Sequence, residues 1–294
     1  MRYSLIDLFR VLAILLIIFY HISMEVIPAW GQDFINIGGL YKFNTGSLGV
    51  TLFIIISGLS LAIKYKKEKI SYLSFITKRF LRIYPPFLIA LGFSIIIYFC
   101  IPNTILELGY YYIGHLNFSN TICSLTGFCH FFGKIGGPFL GPSWFIGLII
   151  ALYLLFPLLL RKIKKNPHLT LIIIFLISFI FRYFYNLTQF GALLHPLFPL
   201  AHLFEFALGI YLGLAVKNNF WSYLNKYKNL SKILFKLGLL SFPFFLIHHP
   251  LLFIVNSLEK LNISYFISIP LYLLVSGVFS FLLLKITRNI PRKI

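Results

Sequence analysis

Apolar residues run along this chain in blocks of about twenty, separated by short polar or basic stretches. That pattern predicts helices that cross a bilayer rather than strands or a soluble core. The blocks fall at roughly 5–27, 46–63, 83–102, 143–160, 168–187, 196–216, 238–257 and 264–284. Alternating ten-residue segments of the kind a β-barrel needs do not occur in the pattern. The expected fold class is all-α, a polytopic transmembrane helix bundle of about eight spans, or up to ten if short or re-entrant helices count. The polar stretches are too short for a separate soluble domain, so residues 1–294 read as one membrane domain.

Composition agrees. Hydrophobic residues make up 59% of the chain, charged residues 11%, and the mean hydropathy is +0.90. The net charge of +19 at first suggests a polyanionic partner such as nucleic acid. Position argues otherwise. With the N-terminus inside, Arg2 and Arg10, the basic residues of 64–82, Arg161 to Lys165, Lys217 to Lys236 and Lys285 to Lys293 all fall on cytoplasmic segments or span ends. Only Lys42, Lys134, Arg182 and Lys260 fall outside. This is the positive-inside bias, which puts both termini in the cytoplasm and makes nucleic acid unnecessary as a partner. The stretch 64–82 mixes Lys and Arg with Tyr72, Leu73, Phe75, Ile76 and Phe80, an amphipathic pattern suited to lying on the inner surface.

Ionisable groups inside apolar blocks are costly and so mark candidate chemistry. The first block carries Asp7, Arg10, His21 and Glu25. Arg10 and His21 are eleven residues apart, about 20° apart around a helix and roughly 16 Å along it. One helix face would thus present a guanidinium near one membrane surface and an imidazole deep in the bilayer, with Asp7 in reach of Arg10. A second group is Lys78-Arg79-Phe80-Leu81-Arg82-Ile83-Tyr84-Pro85-Pro86. Its Arg79 and Arg82, at i and i+3, can turn both forks toward one phosphate, or else anchor the span to anionic lipid. In the sixth block His202 and Glu205 are again i,i+3, with His195 one heptad earlier. The seventh holds His248-His249-Pro250, where proline frees a carbonyl and bends the helix.

The loop 102–142 is long, rich in Gly, Asn and Tyr, and suited to a lid or binding loop that dips in part into the membrane. Its Cys123 and Cys129 would face an oxidising exterior, where a disulfide or two free thiols both remain open. Cys100 is expected to be a packed, inert thiol. No His/Cys set has zinc spacing, so no metal is expected.

Taken in order, these fragments resemble the acyltransferase-3 family, integral membrane enzymes that O-acylate surface sugars and related acceptors. Ile6-Asp7-Leu8-Phe9-Arg10 followed by His21 is similar to its opening Arg–His signature. Phe53-Ile54-Ile55-Ile56-Ser57-Gly58 resembles its second-span element with one extra residue, and Arg79 to Pro85 its Arg-x-x-Arg-Ile-Tyr-Pro element. Trp144, Tyr153 and Pro157 follow the spacing of a later helix. Phe204 to Gly209 and Phe245 to His248 resemble the last landmarks. The chain departs at Ile149, where many members have Glu, at residues 289–291, and in showing eight blocks where ten spans are common.

The resemblance implies a membrane O-acyltransferase that moves an acyl group, acetyl foremost, from cytosolic acyl-CoA to a hydroxyl of a sugar, glycan or lipid-linked acceptor. Under it His21 is the general base, with Arg10 and Asp7 as its catalytic companions. Arg79, Arg82, Lys78 and Tyr84 hold the donor. Ser57, Trp144, His202, Glu205 and His248 line the substrate cavity. The implied location is the cell membrane, among membrane lipids, and a homo-oligomer is compatible with the sequence. The rival reading is a transporter or flippase of a lipid-linked sugar using the same polar cavity. Such a protein would tolerate His21→Gln with altered pH dependence, where an acyltransferase would lose turnover.

Overall fold

In the computed structural model the described residues are 3–23, 35–37, 41–100, 118–129, 139–186 and 198–288. Glu25, Lys134, His195, residues 289–291 and much of the loop 102–142 lie outside them. In chain order the helices are α1 (Ser4–His21), α2 (Thr45–Lys64), α3 (Tyr72–Cys100), α4 (Phe118–Thr126), α5 (Ser143–Lys165), α6 (Pro167–Asn186), α7 (Phe198–Ala201), α8 (Leu203–Ala215), α9 (Asn218–Trp221), α10 (Lys228–Ile247), α11 (Phe253–Lys260) and α12 (Tyr265–Arg288). A short antiparallel ribbon of β1 (Ile35–Ile37) and β2 (Tyr41–Phe43), with Ile35 opposite Phe43, precedes α2. The all-helical bundle is as expected.

Among the described residues six helices, α1, α2, α3, α5, α10 and α12, are long and apolar enough to cross a membrane, and shorter apolar helices cover Pro167–Tyr183 and Leu203–Ala215. Each of the eight expected blocks is largely helical over its described residues, but the ends differ for local reasons. The stretch expected on the inner surface is, from Tyr72, the first part of α3, whose apolar face already buries Phe75 and Ile83. Pro85 and Pro86 lie inside that helix, where they remove the N–H donors that would serve the carbonyls of Leu81 and Arg82. The sixth block breaks at His202 between α7 and α8. The seventh ends as an α-helix at Ile247, because Pro250 cannot continue the ladder, and a 3-10 turn at His249–Leu251 follows.

Close packing relies on glycine. A Cβ on Gly49 in α2 would strike the Ala13 carbonyl of α1, and one on Gly46 would strike Tyr20, so α1 and α2 run antiparallel in close contact. A Cβ on Gly58 would meet the Phe206 carbonyl, and one on Gly209 the Ile55 carbonyl. With little hydrophobic drive between helices in lipid, such close backbone approach is what joins α2 to α8. Phe75, Phe87, Phe156, Phe206 and Tyr272 are fully buried at the centre. Phe266, Leu274 and Phe281 of α12 point outward, as a lipid-facing surface does. Cys100, expected to be packed, is an exposed free thiol at the last position of α3, beside the equally exposed Phe99. Cys123 and Cys129 form a disulfide.

Candidate functional site

α1 carries two polar centres. Near its start, Arg10 Nη1 donates to Asp7 Oδ1 at 3.0 Å and Nη2 to Ser60 Oγ of α2 at 3.3 Å. Asp7 is buried against Gly238 of α10, where a Cβ would press tightly on it. Asp7 thus fixes the guanidinium from one side, as the i,i+3 spacing led one to expect. Arg82 lies within electrostatic range of Arg10, and Tyr153 of α5 within range of both Arg10 and Arg79. Arg79 lies over the Phe75 ring at 5.8 Å, and its buried Nε has no hydrogen-bond partner. Three arginines and a tyrosine from α1, α3 and α5 therefore converge. Among the described residues Asp7 is the carboxylate that pairs with this group, through Arg10. An unpartnered N–H among cations is suited to accept an anion.

Lys78 and Arg82 are both exposed, at i and i+4 on one side of α3. Tyr84, expected among the phosphate-binding residues, has its hydroxyl on the Thr126 carbonyl at 2.6 Å and its ring stacked on Phe80. That bond, with Gly127 at φ 75° ending α4 and lying against α5, folds the described part of the long loop back between α3 and α5. Tyr84 therefore ties the loop in place.

At the other end of α1, the His21 ring lies 5.2 Å from His248 and 4.9 Å from His249 of the turn after α10. His248 is wholly buried. His249 packs on the backbone at Gly141, where a Cβ would overlap its ring. Between the two centres α2 supplies one stripe at i, i+4 and i+7 spacing. Phe53 touches Phe145 and Phe245, Phe245 lies beside His248, and Ser57 follows one turn on, ahead of Ser60 at Arg10.

His202 and Glu205 do not join the histidine group directly. Arg182 of α6 donates to Glu205 Oε1 and to the Ala201 carbonyl, and its Nη2 is 3.4 Å from His202 Nδ1. His202 Nδ1 is 3.7 Å from the same carboxylate oxygen. Glu205 Oε2 is buried and unpartnered. Phe198 bridges this group to Trp144, its ring 4.9 Å from His202 and 6.0 Å from Trp144. Arg182, which the sequence sets outside the cytoplasmic segments, forms a partly buried clasp between α6 and α8.

The family model described as an acyltransferase domain, that of acyltransferase-3, matches residues 3–227. The chain belongs to the acyltransferase-3 family. It is accordingly a multi-pass membrane acyltransferase. Neither the curated proteins nor the solved structures contain a match to it. The matched stretch of this acyltransferase holds the arginine group, His21 and the Arg182–Glu205 clasp. It ends before α10, so His248 and His249 come from the part of the chain beyond it. Two residues that sequence reasoning passed over as site members, Tyr153 and His249, now stand beside its charged and imidazole centres. For Tyr153 the signal was its helix landmark, and for His249 its place beside His248.

Proposed function

We propose that this acyltransferase takes an acyl group, acetyl foremost, from acyl-CoA on the cytosolic side and places it on a hydroxyl of a sugar, glycan or lipid-linked acceptor. The observation that carries the proposal is the arrangement along α1, with a three-arginine anion site at one end and His21 among imidazoles at the other. The roughly 16 Å between Arg10 and His21 suits the long flexible arm that joins the nucleotide of CoA to its thioester. Arg79, Arg82 and Arg10 would grip donor phosphates, with Lys78 at the entrance. The thioester would then lie along Ser57 and Phe53 toward His21.

His21 acts as general base. It takes the proton of the acceptor hydroxyl as that oxygen attacks the thioester carbonyl carbon, the C–S bond breaks, and the proton passes to the departing sulfur as CoA–SH. A neutral imidazole suits this role at physiological pH. Trp144, His202, Glu205 and His248 line the acceptor side. The buried, unpartnered Glu205 Oε2 supports a hydroxyl-bearing acceptor, because it lacks a donor that a sugar hydroxyl supplies. Both termini would face the cytosol and the protein would reside in the cell membrane. The test is purified protein with acetyl-CoA and extracted cell-envelope glycans. Acceptor-dependent CoA release with acetylated product in the mass spectrum is expected, whereas vesicle uptake of a lipid-linked sugar without CoA release would make the protein a transporter.

A further inference from the structure

The point where the backbone ladder of α3 is weakest is also the point where another segment holds the helix. Pro85 and Pro86 leave the carbonyls of Leu81 and Arg82 without their ladder donors. Two bonds lost in succession let the helix bend there. The bend would separate residues 72–84, which carry Arg79 and Arg82, from the stretch that runs on to Cys100. Tyr84 spans it. Its ring stacks on Phe80 at 3.9 Å on one side and meets Phe87 edge-on at 5.8 Å on the other. Its hydroxyl donates to the Thr126 carbonyl at 2.6 Å.

That carbonyl belongs to a turn that is itself fixed. Gly127 follows α4 at φ 75°, a left-handed conformation that a side chain would strain, and its N–H donates to the Cys123 carbonyl at 2.8 Å. A Cβ on Gly147 of α5 would overlap the Gly127 carbonyl, so the turn rests backbone to backbone on α5. The Cys123–Cys129 disulfide closes a ring around it, with both cysteines buried. Phe75 stacks on Phe156, and residues 84 and 147 lie equally far along the antiparallel helices from that pair, about 13 Å on. From Tyr84, α3 continues roughly 24 Å to Cys100. The turn at 126–127 therefore lies deep beside α3, where a carbonyl needs a donor from the protein because lipid supplies none.

We infer that Tyr84 is a positioning residue for the donor site. Through its bond to the disulfide-closed turn it fixes the angle at which α3 presents Arg79 and Arg82 toward Arg10. This rests on the arginine group being the site that binds CoA. The Tyr84 hydroxyl is committed to Thr126 and grips no phosphate. It acts through α3, and the disulfide acts through it, although neither cysteine belongs to the arginine group.

Two measurements test this independently. Hydrogen exchange read by mass spectrometry, on protein in nanodiscs without ligand, reports on the bend. The stretch 80–88 should exchange several-fold faster in Tyr84→Phe, which keeps the ring and loses the hydroxyl. It should do the same when Cys123→Ala and Cys129→Ala together remove the disulfide. Unchanged exchange there in Tyr84→Phe overturns the inference whether or not CoA binds. CoA titration reports on the site. Tyr84→Phe should bind CoA about two- to tenfold more weakly, the range expected for one lost hydrogen bond. The cysteine pair should weaken binding as well, although it removes no group that a phosphate could meet. Combining all three substitutions should add nothing beyond the weaker parent, because both changes release one turn. Losses that multiply, or unchanged CoA affinity in Tyr84→Phe, would reduce the bond to a loop anchor. A wild type that binds no CoA refutes the donor-site reading instead, and the exchange result then still reports on the bend.

Discussion

Asp7→Asn exposes the double duty of the first polar centre. The carboxylate is nearly buried, 9% exposed at the side chain against 26% for Arg10, and the two are 3.0 Å apart. Removing one partner of a fully buried pair costs about 3–5 kcal/mol, and of a surface pair less than about 1 kcal/mol. With water still reaching Arg10, the variant should lose about 2–3 kcal/mol. The same change should strengthen anion binding. Asp7 opposes any anion held by Arg10, Arg79 and Arg82. At roughly 8 Å and an effective dielectric of about 20–40 that repulsion is about 1–2 kcal/mol, or roughly five- to thirtyfold in affinity. The assay is thermal unfolding in detergent with and without CoA, paired with direct CoA titration. The expected result is a lower midpoint without ligand and a larger upward shift with saturating CoA than wild type shows. A folded Asp7→Asn protein that binds CoA more weakly would refute this, because the loss of the hold on Arg10 would then outweigh the relief of repulsion toward the anion.

Three further outcomes follow from other parts of the bundle. Arg82→Ala should weaken CoA binding more than binding of a donor analogue without the nucleotide, and Arg82→Lys should recover only part, since an ammonium lacks the planar fork; equal effects on both ligands would return Arg82 to lipid anchoring. Gly209→Ala should cost about 1–3 kcal/mol in thermal unfolding, because its Cβ would overlap the Ile55 backbone, and a neutral result would contradict the close α2–α8 contact. Arg182→Met and Glu205→Gln, alone and together, should couple by about 1–3 kcal/mol in unfolding, with zero coupling arguing against the α6–α8 clasp.

Much of this was legible in the chain because membranes make the rules strict. Blocks of twenty apolar residues led to the helices, and an acid three residues before an arginine led to the Asp7–Arg10 pair. The i,i+3 spacing of Arg79 and Arg82 suggested a shared face, although only the fold brings Arg10 and Tyr153 to it. What stayed hidden depends on contacts between distant segments. Nothing in the spacing pairs Arg182 with Glu205, and only the packing of α6 on α8 brings them together. Tyr84 sits inside an arginine-rich motif, yet its hydroxyl is claimed by a carbonyl forty-two residues on. Gly58 and Gly209 read as separate family landmarks, and their physical role is that each lets the other's helix approach. The break at His248–Pro250 could be read from proline alone, but the contact of His248 Nδ1 with the Phe245 carbonyl could not.

The measurement that bears most directly on the account is acceptor-dependent CoA release by purified His21→Ala protein, run beside a CoA titration of the same sample. Loss of a general base lowers rates by about 10²–10⁴. The arginine site lies roughly 16 Å away along α1, so donor binding should survive the substitution. The account predicts CoA bound with wild-type affinity and turnover reduced at least a hundredfold. CoA release that persists at the wild-type rate in His21→Ala would contradict it.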